Sequence, residues 1–197
     1  MAGTLSFIQL DVSSDESIAA AAEQLERDFG VIDVLVNNAG GSHQGAMTRK
    51  ALRHVFETNT FGAALLTQAL EPPLRRSKDP RIINVSSTLG SITIRTDRSF
   101  EYDDLPEKGY RMSKAALNML TASQNSEFKN WEHPAKVWSF CPGRVNTRPE
   151  EHTPENMKES KIEGPETSAW GIWEIIQGKR DEETDRFISR RGGVLPW

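Results

Sequence analysis

Short β-branched runs alternate with amphipathic helical stretches along this chain, and that alternation limits its fold more than any other feature. Residues 5–12 (LSFIQLDV) read as a strand that passes into a helix at SSDES, where Ser13 and Glu16 have capping-box spacing. That helix carries Ile18, Ala22, Leu25 and Phe29 on one stripe and should stop at Gly30. Residues 31–36 (VIDVLV) predict a strand buried on both faces. A long helical pattern over 48–70 should end at Pro72 and Pro73. Residues 81–85 (RIINV) predict a second buried strand, closed by Ser86 and Ser87, and a polar loop over 91–109 follows. The next helix has Met112, Ala116, Leu117 and Leu120 as its apolar face. Residues 136–140 (KVWSF) and 186–189 (RFIS) predict further strands. Between them a helix opened by Pro165 carries Trp170, Trp173 and Ile176, with both tryptophans expected over core. The expectation is an α/β fold: one domain over residues 1–197, with a doubly wound, Rossmann-like parallel sheet. In such a sheet the ligand lies beyond the carboxyl ends of the strands, where Asn38, Ser87 and Pro142 fall.

Charge and cysteine usage narrow the function classes. With 24 basic against 28 acidic side chains the formal charge is −4, which excludes a generally cationic nucleic-acid binder. Cys141 is the single cysteine, so no intrachain disulfide can form and the cytoplasm is the expected compartment. No segment approaches the ~20 apolar residues that span a bilayer, and the first residues lack the pattern of a secretory leader. No membrane partner is expected. The four histidines, at 43, 54, 133 and 152, stand too far apart for a local metal cluster, so no metal is expected. The hydrophobic fraction of 37% is low for a compact enzyme.

Tyr110 and Lys114 stand i and i+4 at the start of a predicted helix, so their side chains emerge on one face. A free tyrosine has a pKa near 10, and a neighbouring ammonium favours its phenolate. The pair fits a tuned acid/base, although the same spacing also describes a solvated surface pair. Tyr102 has Pro106 at the corresponding position and does not qualify. Ser86 and Ser87 compete as the hydroxyl at the strand end; Ser87 is preferred because Gly90 follows three residues later. Cys141, between Phe140 and Pro142, reads as a small packed residue, and His43 as a loop residue that borders the substrate or is simply solvated.

Taken in order, these segments resemble the short-chain dehydrogenase/reductase family. Asp11 and Val12 match the Asp-Val pair ending its third strand; Asn37, Asn38, Ala39 and Gly40 match its NNAG signature. Asn59 in ETNTFG, Ser87 in SSTLG, the YxxSK element at Tyr110, Met112, Ser113 and Lys114, and PGxVxT at Pro142, Gly143, Val145 and Thr147 complete the set. The resemblance implies an oxidoreductase using NADP or NAD on a small-molecule alcohol or carbonyl substrate, with a homo-oligomer among the assemblies it allows. It implies catalytic roles for Tyr110, Lys114, Ser87 and Asn59: proton donor, pKa tuner and ribose ligand, oxyanion partner, and water anchor. It implies cofactor contacts at Asp11, Val12, Asn38, Ala39, Gly40, Tyr110, Lys114, Val145 and Thr147.

The family's TGxxxGxG phosphate turn does not precede Asp11. The expected sheet therefore lacks the family's first strand, first helix and second strand, and weak dinucleotide binding with impaired turnover is expected. A non-catalytic, protein-binding relative is the rival reading. The interval from Ser87 to Tyr110 is long for the family and resembles its carbonyl-reductase-like members; residues 148–164 stand where the family has its substrate lid.

Overall fold

The computed structural model describes residues 3–43, 45–100, 105, 107–146 and 162–197. Its centre is a five-stranded sheet of β1 (Val34–Asn37), β2 (Arg81–Val85), β3 (Lys136–Cys141), β4 (Phe187–Ser189) and β5 (Val194–Leu195), in that spatial order. The first four strands run parallel, and β5 returns antiparallel to β4. Among the described residues eight helical segments of five residues or more flank them: α1 (Asp15–Asp28), α2 (Arg49–Phe56), a π-helix (Glu57–Phe61), α3 (Gly62–Ala69), α4 (Glu71–Arg75), α5 (Ile92–Thr96), α6 (Lys108–Phe128) and α7 (Pro165–Ile176).

Alternation along the strands sorts their side chains between two cores. Leu35, Ile82 and Val137 join Ile18 of α1, Leu66, Leu74 and Phe128 on one face. Ile83, Trp138, Phe140 and Ile188 join Ile175 of α7 on the other, with Val34 and Val36 packed against them. Every residue of β2 is buried, as expected of a strand covered on both sides. At β1 the outer edge carries no hydrogen-bonded strand among the described residues.

Several sequence expectations are corrected. Residues 5–12 form no strand: Leu5 and Phe7 are 81% and 87% exposed. A β-branched or aromatic run becomes a strand only where an edge accepts its backbone, and none of the five strands pairs with it. The sheet is mixed because of β5. The cap of α1 is Ser14, whose hydroxyl accepts from the Ser17 amide, while Ser13 folds back onto Asp11. Gly30 does end the helix, at φ 74° with its amide on the Leu25 carbonyl. The stretch 48–70 is interrupted by the π-helix, and Pro72 and Pro73 begin the new turn α4 instead of closing the old one, since proline fits a first helical turn. The loop 91–109 contains α5. Met112, Trp170 and Trp173 are 48%, 65% and 46% exposed, so none of them is core. Met112 lost its predicted place because α6 buries a polar face instead: Ser113, Lys114, Asn118, Thr121 and Gln124.

At the amino ends of β2 and β3, opposite the ligand end, Arg81 ties the carboxyl-terminal segment to the sheet. Its guanidinium meets Asp181 at 2.5 and 3.0 Å, Asp79 at 2.6 Å and the Ile175 carbonyl at 2.9 Å. Lys136 adds contacts of 2.8 and 2.7 Å to Asp79 and Asp181. The hydrogen bond from Arg81, reinforced by Lys136, holds the Asp181 carboxyl down to about 2 from 3.8. A carboxyl depressed by folding stabilises the fold above its unfolded pKa, and that contribution is lost as pH falls through the folded value. Asp181→Asn should therefore cost on the order of 2 kcal/mol at pH 7. The deficit should shrink progressively between about pH 5 and pH 2, read from urea denaturation of both proteins across that range.

Candidate active site

Four chain segments converge at the carboxyl end of the sheet. The end of β1 supplies residues 37–41, the π-helix supplies Asn59, the end of β2 supplies Ser86–Gly90, and the first turns of α6 supply Tyr110, Ser113 and Lys114.

The two asparagines after β1 separate by the strand's alternation. Asn37 points inward, donating to Thr67 Oγ1 at 3.0 Å and Asn84 Oδ1 at 2.8 Å. Asn84 in turn donates to Thr121 Oγ1 at 2.9 Å and Gln124 Oε1 at 2.8 Å. This buried chain of amides and hydroxyls binds β1 and β2 to α3 and α6, so Asn37 is a structural residue. Asn38, Ala39 and Gly40 lie exposed at the strand end, on the ledge where a ligand would rest.

Asn59 sits in the π-helix, 1% exposed. Its amide reads the backbone of Gly41 in both directions, accepting from N at 2.8 Å and donating to O at 2.8 Å, and donates also to Ser113 Oγ at 2.9 Å. Ser113 Oγ donates to the Tyr110 carbonyl at 2.8 Å. A π-turn inserts one extra residue into a helix and turns a side chain off the regular face, which is why such turns gather at functional sites. Here it aims Asn59 at both the 38–41 ledge and α6. In this arrangement Asn59 holds protein groups directly.

Lys114 Nζ is buried and donates to the Val85 carbonyl at 2.7 Å, its one acceptor among the described residues. It lies 5.7 Å from the Tyr110 ring centroid. A Cβ on Gly40 would fall 3.0 Å from Asn59 Oδ1 and 3.3 Å from Lys114 Nζ, so the missing side chain there leaves a cradle beside the ammonium. Burial pushes Lys114 down to about 8, against a smaller opposing influence from Cys141. Burial also pushes the Tyr110 phenol up to about 12; a hydrogen bond with Ser87 opposes this, while Cys141 and Glu107 add to it. The lowering of Tyr110 by Lys114 expected from their spacing does not appear: desolvation sets the direction, and the ammonium bonds Val85 and faces the ring, not the phenol oxygen.

Ser87, not Ser86, is the strand-end hydroxyl that holds the Tyr110 phenol below where burial alone would put it. Ser86 is 3% exposed and bonded to Asn118 Oδ1 at 2.6 Å, as the opposite orientation of adjacent residues requires. Cys141 is buried, accepting from the Thr88 amide at 3.3 Å, in keeping with a packed residue. His43 is exposed on the rim of a cleft lined by Met47, Leu52 and Lys108. Asp11 is exposed, with Oδ1 taking the amide and hydroxyl of Ser13 at 2.9 and 2.6 Å, and Val12 packs beside α1 and onto Gly62. Val145 bridges to Glu163. Thr147, Tyr102, Pro106 and His152 lie outside the described residues, as does most of 148–164. Among the described residues no cluster of three metal-ligating side chains occurs, and no helix is long and apolar enough to cross a membrane. Asn84 on β2 and Asn118, Thr121 and Gln124 on α6 escaped the sequence reading; for the last three the signal was the 3.6-residue recurrence of polar side chains along α6.

A family model described as short chain dehydrogenase matches residues 2–158. A short-chain dehydrogenase of Penicillium roqueforti is 46% identical over 128 residues, covering 60% of this chain and 50% of that protein, so the chain spans half that relative's length. A short-chain dehydrogenase/reductase of a Phoma species is 30% identical over 219 residues, covering 100% of this chain and 78% of the relative. Among solved structures, the NADPH-bound carbonyl reductase from chicken fatty liver superposes with a TM-score of 0.81 at 29% identity, covering 96% of this chain and 76% of its own.

Gly90 is the tightest contact beneath the site: a Cβ there would stand 2.7 Å from the Lys114 carbonyl carbon and 2.8 Å from its Cβ. Backbone cannot yield as a flexible side chain can. Gly90→Ala should therefore destabilise the protein by roughly 1–3 kcal/mol, measured as a lowered urea midpoint with unchanged slope.

Proposed function

This chain belongs to the short-chain dehydrogenase family, and we propose that it is a nicotinamide-dependent oxidoreductase interconverting a small alcohol and its ketone or aldehyde. The observation that carries the reading is the convergence at the carboxyl end of the sheet of the Ser87 turn, the Tyr110 phenol and the buried Lys114 ammonium, which lies 5.7 Å from the phenol ring centroid. A solvated Tyr-Lys pair on a helix surface would have no reason to bury the ammonium against a strand-end carbonyl. The bound dinucleotide would supply the hydride donor or acceptor.

The residues at the ledge fit the nicotinamide and ribose half of such a cofactor. Lys114 keeps N–H groups beyond its bond to Val85 for ribose hydroxyls, and the side-chain-free Gly40 opens the approach to it. Asn38 and Ala39 border the same ledge, and Asp11 offers a carboxylate acceptor to an adenine amino group. NADP is the preferred dinucleotide because the chicken relative was solved with NADPH. Val145 and Thr147 complete the proposed nicotinamide contacts.

In the reduction direction, Tyr110 stays neutral across the physiological range because burial lifts it to about 12, so it holds the proton a developing alkoxide needs. Ser87 donates to the same oxygen and stabilises its charge. Lys114, as ammonium, offsets the phenolate left behind. Asn59 fixes the ledge to α6. Protonated Lys114 is in short supply above its pKa of about 8, so kcat/KM for reduction should decline above that pH.

Tyr110→Phe should lower NADPH-dependent reduction of a ketone panel by roughly 100- to 10,000-fold while dinucleotide affinity, read by NADPH fluorescence, stays within a few-fold. Equal turnover by both proteins, or no reduction by the unaltered chain across the panel, would overturn the reading.

A further inference from the structure

Ser87 can serve Tyr110 only if the end of β2 keeps its place against α6, and one side chain spans that joint. Asn118, one turn beyond Lys114 on α6, is 4% exposed. Its Oδ1 accepts from Ser86 Oγ at 2.6 Å and from Ser139 Oγ on β3 at 2.7 Å, which uses both lone pairs of the oxygen. Its Nδ2 leans to the Gly90 carbonyl at 3.4 Å. Ser86 and Gly90 bracket the turn that carries Ser87, a turn closed by the Gly90 amide on the Ser87 carbonyl at 2.8 Å. One amide thus grips both ends of the Ser87 turn from the helix that carries Tyr110, and pins the adjoining strand as well.

We propose that Asn118 is a positioning residue for the reaction: it sets the register between the Ser87 turn and α6, the helix that carries Tyr110, and so fixes where the Ser87 hydroxyl stands relative to the phenol. The proposal rests on the assignment of Ser87 and Tyr110 as the reacting pair. Its physical content is narrower than that assignment, because a hydroxyl and a phenol on separate elements stay in contact only as long as the elements do. No other described side chain bonds α6 to both ends of the Ser87 turn. Ser139 gives Asn118 a third anchor, so the amide cannot follow the turn if it slides along the helix.

The test reads the Tyr110 environment directly and needs no turnover, so it succeeds or fails apart from the functional reading. The chain holds two tyrosines, and Tyr102→Phe leaves Tyr110 as the single probe for tyrosine labelled with carbon-13 at Cζ. In that background, Ser87→Ala should move the Tyr110 resonance by removing the hydroxyl that acts on the phenol. Asn118→Ala is expected to move it in the same direction, and the double variant Ser87→Ala with Asn118→Ala to move it no further than Ser87→Ala alone. Leu117→Ala, which opens a cavity on the same turn of α6, should lower Tm while leaving the resonance in place. If Asn118→Ala does not fold, Ser86→Ala removes one of the two gripped hydroxyls and should give the same shift in smaller measure. A resonance unmoved by Asn118→Ala and Ser86→Ala, a shift additive with that of Ser87→Ala, or an equal shift in Leu117→Ala would each overturn the proposal.

Discussion

The site depends on one buried joint, the seating of α6 on the end of β2. Lys114 Nζ caps the Val85 carbonyl at 2.7 Å, and the bare Cα of Gly90 lies against the Lys114 backbone. A buried ammonium is costly unless it is bonded, and the last carbonyl of a strand is costly to bury without a donor. Each satisfies the other. The contact brings a helix that carries a phenol and an ammonium within reach of a strand end that carries a hydroxyl.

The polar interior of α6 follows from this joint. An amphipathic helix of ordinary design would bury leucine and methionine, and it would slide or rotate over a flat strand surface with little penalty. Hydrogen bonds are directional, so the ladder from Asn37 through Asn84 to Thr121 and Gln124 admits one register. The same reasoning explains Asn59. A π-turn trades regular helix geometry for a side chain that joins the 38–41 ledge to Ser113 at the base of Tyr110. At the far end of the sheet the Arg81 cluster binds the last segment, so β4 is held beside β3 from below.

Burial also sets the resting protonation of the phenol and the ammonium at the site. Desolvation opposes charge on both partners, lifting the phenol to about 12 and lowering the ammonium to about 8. An unliganded site of this kind keeps the proton on tyrosine. Sequence spacing suggested the opposite shift for the phenol, because spacing gives proximity and says nothing of the dielectric around it.

What the sequence determined by itself was local and periodic: the strands at 81–85 and 136–140, the stop of α1 at Gly30, the opposite facing of Ser86 and Ser87, and the helical pairing of Tyr110 with Lys114. Each rests on a side-chain period or a backbone preference that one segment expresses alone. Whether residues 5–12 become a strand, which face of α6 is buried, and whether Trp170 and Trp173 are core depended on neighbours distant in the chain. A strand needs an edge to pair with, and a helix buries whichever face its partners can satisfy. Tertiary structure decided those points because hydrogen-bond partners and desolvation belong to the assembled sheet and helices, and no single segment carries them.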